Sequence, residues 1–190
     1  MMVIMYLFFL WIKFFISILL SIALNNCNNG SELEGTEKMK TVEYVDLERY
    51  MGDWYVIANI PTFIEKNATN AVESYKLSSD GIIHTTFSFY KGSPEGEKKI
   101  YRPKGFVFNK ETNAEWRMQF LWPFKMPFLI IELDEDYSYT VIGYPSKKYV
   151  WIMARDPRME EKRYNLILDN LSEIGYDISL IQKVPQIWSK

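Results

Sequence analysis

Nucleophilic and metal-assisted chemistry needs groups that this chain almost lacks. Its 190 residues include one Cys, Cys27, and one His, His84. A disulfide takes two Cys and Cys/His zinc sites take three or four ligands, so both are excluded. A thiol–imidazole pair would have to join Cys27 to His84, but Cys27 stands directly behind an apolar leader, outside the body of the chain. His84 reads as a strand residue with a satisfied partner. The acidic run Asp134-Glu135-Asp136 falls in a turn and reads as solvated, not as paired carboxylates for acid–base work. Four cations, Lys66, Lys98, Lys104 and Arg117, read first as solvated side chains and are candidates to meet an anionic group. No catalytic residue, metal site or cofactor is assigned, and the chain reads as a non-enzyme. The types in excess are apolar: hydrophobic residues make up 48% and aromatics 16%, too many for a disordered chain.

That apolar content is unevenly placed. Of the first 26 residues 21 are apolar, and the single charge among them is Lys13. The charge-free run from Phe14 to Leu24 has the length of a signal-peptide core and is too short to span a bilayer. Read from Val3 to Leu24 the segment is long enough to span, at the cost of Lys13 near mid-depth. The residues Leu24-Asn25-Asn26-Cys27 resemble the lipobox of bacterial lipoproteins, in which the Cys becomes the acylated first residue; Asn26 departs from the small residue usual there. The alternative is an ordinary signal peptide ending beside an incidental Cys. The expected organisation is a leader at 1–26, a lipidated Cys27 with a polar tether to 41, and one domain at 42–188. Without the leader the body has 21 basic and 24 acidic residues. The near-neutral charge of −2 for the whole chain argues against a nucleic-acid partner.

From Val42 onward short aromatic and β-branched segments alternate with turn residues. The expected strands are Trp54–Ile60, Ala71–Leu77, Ile82–Tyr90, Ile100–Phe108, Glu115–Phe120, Phe128–Leu133, Tyr139–Tyr144 and Val150–Arg155. Eight strands joined by short turns predict an all-β, antiparallel up-and-down barrel, because closure removes exposed edges. Asp156-Pro157 predicts a helix start. The stripe Tyr164, Ile167, Leu168, Leu171, Ile174 predicts one C-terminal helix packed on the outside, ended by Gly175. Asp177–Val184 is a candidate extra edge strand.

Three groups of residues then resemble a known family. Gly52-Asp53-Trp54-Tyr55 at the first strand, Asp134 to Val141 before and into the seventh, and Val150-Trp151-Ile152-Met153-Ala154-Arg155 at the eighth are similar, in order and spacing, to the three lipocalin motifs. The segment Phe120-Leu121-Trp122-Pro123-Phe124 narrows the resemblance to bacterial lipocalins, outer-membrane lipoproteins, and their animal relative apolipoprotein D. The resemblance implies a barrel floor built by Gly52, Trp54 and Arg155, with Arg155 over the Trp54 indole. It also implies a carrier of hydrophobic ligands, fatty acids or lysophospholipids, anchored to the outer membrane through Cys27.

Alternation from Trp54 predicts that Val56, Ala58 and Ile60 face inward. Other candidate ligand contacts are Tyr75, Phe87, Phe89, Phe106, Trp116, Met118, Phe120, Ile130 and Val141, with Phe63 in a lid over the mouth. Each serves equally well in a filled core, so a tethered structural or protein-interaction barrel is the competing reading. Monomer and homodimer both stay open.

Overall fold

The computed structural model describes residues 38–188; the expected leader, Cys27 and the tether as far as Glu37 lie outside them. A short helix α1 (Leu47–Tyr50) precedes strands β1 (Gly52–Ile60), β2 (Ala68–Leu77) and β3 (Ile82–Lys91). They are followed by β4 (Lys98–Tyr101), β5 (Lys104–Val107), β6 (Glu115–Leu121), β7 (Phe124–Leu133), β8 (Tyr139–Gly143) and β9 (Val150–Ala154). Helix α2 (Glu161–Glu173), a 3₁₀ turn and the two-residue strand β10 (Gln182–Lys183) follow as the last of the described elements.

The pairing is antiparallel between sequence neighbours, and β9 returns to β1, with Tyr55 opposite Ala154 and Ile60 opposite Val150, which closes the barrel. The expected fourth strand is broken into β4 and β5, both paired to β3, because Pro103 supplies no N–H to a ladder. Counted as one stave, they give the eight-stranded barrel.

Two apolar layers hold this wall. The inner layer contains Trp54, Val56, Tyr75, Phe87, Trp116 and Ile130; the outer contains Ile60, Tyr139, Val141 and Ile152 together with Tyr164, Ile167 and Leu171 of α2. The helix therefore packs on the outside through the expected stripe, except that Ile174 is 45% exposed. It starts later than expected: the Asp156 carboxylate accepts from the Arg158 N–H at 2.8 Å, which makes a turn there instead of a first helical turn. Met39, expected in the tether, is partly buried against the outer layer.

The C-terminal segment does more than extend an edge. Strand β1 pairs with β2 only from Gly52 to Tyr55, and above that point β10 takes its place beside Ala58 and Asn59. The Gln186 amide then donates to Val56 O and Ala71 O, at 2.8 and 3.1 Å, and the Asn70 side chain exchanges two hydrogen bonds with Ile187. Residues 182–187 seal the parted seam between β1 and β2.

Candidate functional site

The floor is built first, from local sequence. Asp46 caps α1 by accepting from the N–H groups of Glu48 and Arg49, and Asp46 N–H in turn donates to the Tyr137 hydroxyl at 2.8 Å. Tyr50 and Trp54 are fully buried, and the Trp54 indole N–H donates to Tyr50 O. Tyr50, Trp54, Tyr75, Trp116 and Phe128 form a layer of rings 5.0–6.1 Å apart. Arg155 locks this layer from below. Its guanidinium lies 3.8 Å over the Trp54 ring and donates to Asp53 O, Arg49 O, Tyr50 O and Met51 O at 2.8–3.0 Å. Gly52 has φ +94°, and a Cβ there would meet the Arg155 guanidinium at 3.3 Å, so glycine serves both backbone and approach.

Above the floor the inner wall is apolar: Val56, Ala71, Phe87, Phe89, Met118, Ile130, Ile142 and Met153 are all buried in the inner layer. One carboxyl interrupts it. Glu73 lies on the inner face between Ala71 and Tyr75, and the Tyr75 hydroxyl donates to it. Burial is the main cause that pushes the Glu73 carboxyl up to about 7; Glu65 adds to the rise and the Tyr75 bond opposes it. Burial likewise raises the Tyr75 phenol well above its ordinary value. Nearer the mouth a second carboxylate, Glu65, is tied by the Trp151 indole N–H at 2.7 Å, the Thr62 N–H and hydroxyl at 2.9 and 2.6 Å, and the Asn59 amide. It positions the first mouth loop.

Of the sequence candidates, the structure brings Val56, Tyr75, Phe87, Phe89, Trp116, Met118 and Ile130 together on the inner face. Ala58 and Ile60 instead face outward, towards α2, because a bulge at Ile57 shifts the register against β9 and turns Asn59 inward opposite Trp151. Val141 also faces α2, and its neighbour Ile142 takes the inner position. Phe106 lies on the outside, opposite Arg117 and under the Lys125 ammonium, since β5 restarts after Pro103 with Gly105 and Val107 inward. Phe120 stands at the rim, 47% exposed, and Phe63 is 85% exposed and covers nothing. Of the four cations, Arg117 is committed to Glu115 at 2.7 Å and to the Phe108 face. Lys104 and His84 are exposed and face each other across β3 and β5. Lys66 and Lys98 stand exposed at the mouth.

Sequence reasoning missed Glu73, Tyr50, Asn59, Glu65, Trp151 and Tyr137. The signal present for Glu73 was a carboxylate in phase with inward Tyr75, two residues away.

A closed antiparallel barrel with a floor of packed rings, an apolar inner wall and, among the described residues, a mouth framed by hairpin loops is an architecture that typically serves the binding of small hydrophobic molecules. The chain belongs to the lipocalin family: the family model described as a lipocalin-like domain matches residues 45–186. It is 34% identical to temperature-induced lipocalin-1 of Arabidopsis thaliana over 80% of this chain and 86% of that one. The outer membrane lipoprotein Blc of Vibrio cholerae is 29% identical, with 89% and 96% covered. Mouse apolipoprotein D is 26% identical, with 76% and 78% covered. Among solved structures, insecticyanin from the tobacco hornworm superposes with a TM-score of 0.62 at 19% identity, covering 81% of this chain and 86% of that one. Proteins of this family bind and carry ligands, and this chain is a binding protein, not an enzyme.

Proposed function

We propose that this lipocalin carries acyl lipids, fatty acids or lysophospholipids, and that it does so as a lipoprotein of the bacterial outer membrane held by an acylated Cys27. In this reading residues 1–26 are the removed leader and 27–41 join the anchor to the barrel at 42–188. The observation that carries the ligand class is the inner wall above the floor, apolar from Val56 through Ile130 and Met153. Burial there stabilises an acyl chain by about 0.8 kcal/mol per CH₂. Glu73 disfavours a second carboxylate at depth, so the chain goes in methyl end first. Its head stays at the mouth near Lys66 and Lys98. The Blc relatives named as outer membrane lipoproteins support the location.

The test is extraction of the purified protein with organic solvent and analysis of the lipid, followed by titration with palmitate and lysophosphatidylcholine while tryptophan emission is recorded. Bound acyl lipid and saturable quenching are expected. A dry extract with no response to either titrant would favour the filled, structural barrel instead. Cys27→Ala is expected to move the protein from the membrane to the soluble fraction, and unchanged partitioning would refute the anchor.

A further inference from the structure

The hairpin between β6 and β7 exposes apolar side chains in a block: Phe120 (47%), Leu121 (70%), Trp122 (81%), Phe124 (69%) and Met126 (37%). Exposed apolar residues are ordinarily scattered, and a contiguous group marks a contact surface. The hairpin sits at the mouth, on the same end as the exposed Phe63.

Charge separates the two ends of the barrel. At the mouth, residues 61–67, 91–99, 122–126 and 144–149 contain seven lysines and three glutamates. Two of those glutamates are already engaged, Glu65 by Trp151 and Thr62, and Glu97 by Lys99 at 2.6 Å. At the floor end, residues 46–51, 78–81, 108–114, 134–138 and 155–160 contain nine acidic and four basic residues. Lysine-flanked Trp, Phe and Leu suit the boundary between acyl chains and anionic head groups, with the rings at head-group level and the ammonium groups on the phosphates. A protein partner would not require this polarity of the whole barrel.

From these observations we infer that the β6–β7 hairpin docks on an anionic lipid surface, seating the mouth on the bilayer and turning the acidic floor away. Trp122 and Phe124 enter the boundary region, and Lys125 and Lys98 contact the head groups. The inference goes beyond the cargo reading and does not rest on the anchor at Cys27, because it concerns which face of the barrel meets lipid.

The full chain is reconstituted into phosphatidylcholine vesicles carrying brominated acyl chains, with and without phosphatidylglycerol, beside a Trp122→Phe variant. The expected result is strong quenching of the Trp122-dependent emission when phosphatidylglycerol is present, weakening as salt rises. Lys98→Gln and Lys125→Gln are expected to lower the docking equilibrium about fivefold each. These positions are exposed, and unchanged thermal midpoints identify the variants as folded. Trp122 emission insensitive to brominated lipid in both vesicle types would overturn the inference. So would Trp122 shielded only by rising protein concentration, which would assign the hairpin to a second copy of the chain.

Discussion

Replacing Arg155 with methionine keeps an unbranched apolar stem and removes the fork that ties the floor together. Four carbonyls lose a charged donor. The two exposed acceptors, Asp53 O and Arg49 O, regain water, and each loss costs about 0.5 kcal/mol. The part-buried Tyr50 O keeps the Trp54 indole N–H and shares its Arg155 donor with two neighbours, so its loss costs about 0.5 kcal/mol, while Met51 O is rehydrated poorly and costs about 1–1.5 kcal/mol. Loss of the contact 3.8 Å over the Trp54 ring adds about 0.5–1 kcal/mol. The expected destabilisation is therefore about 3–4 kcal/mol, or a fall of about 6–16 °C in Tm for a chain of this size. Arg155→Lys keeps the charge but reaches fewer carbonyls and cannot stack as a plane, so about half of the loss is expected. The assay is urea unfolding of the full chain followed by tryptophan emission, with the slope compared as well as the midpoint. A methionine variant within about 1 kcal/mol of the parent would refute the account of the floor, since that is near the size of one ordinary hydrogen bond. A lysine variant no better than the methionine one would show that the charge contributes nothing.

The Glu73 carboxyl is raised to about 7 from 4.5. The unfolded chain thus ionises it first, and stability falls as pH rises from 4.5 to about 7, then stays low. Glu73→Gln is therefore expected to be more stable than the parent at pH 8 by up to about 3 kcal/mol, with the gain vanishing near pH 4; unfolding midpoints at both pH values check it, and a gain equal at both would contradict the burial of an acid. Gln186→Ala removes both ties across the β1–β2 seam. It is expected to cost about 1–3 kcal/mol and to speed hydrogen exchange at Val56 and Ala71 before the rest of the barrel. Ile130→Trp puts bulk on the inner wall. It is expected to weaken palmitate binding at least tenfold while the barrel stays folded, as followed by titration and circular dichroism; unchanged affinity would move the cargo elsewhere.

The staves and the outer helix were legible in the sequence because turn residues such as Ser79-Asp80-Gly81 punctuate them and because α2 keeps a clean 3.6-residue stripe. Which way the side chains faced was legible only on strands with one wet face. On β3 the polar residues His84, Thr86 and Ser88 mark the outside, and Phe87 and Phe89 fall inward as alternation predicts. On β1 and β8 both faces are covered, one by the inner layer and one by α2, so every residue of β8 is buried, and the polar Thr140 and Asn59 lie inward where alternation would put them outside. A bulge such as that at Ile57 leaves no trace in such a pattern, and Ala58, Ile60 and Val141 were consequently read onto the wrong face. The floor was readable because its parts are short-range and chemically specific: a glycine, an indole and a guanidinium. The Glu65 cluster was not, because it joins loop residues to Trp151, 86 positions away.

The seam sealed by residues 182–187 sets the order in which the protein can be finished. β1 is made before the other strands of the barrel, yet its upper half has no neighbour on the β2 side until residues 182–187 exist, well after β9. A nascent chain cannot complete this wall early, and the half-built barrel keeps unpaired amides along Val56–Asn59. For a chain that folds as it is made, that delay leaves the β1–β2 seam open after β9 has already paired with β1, so residues 182–187 finish the wall of a ring that is closed without them.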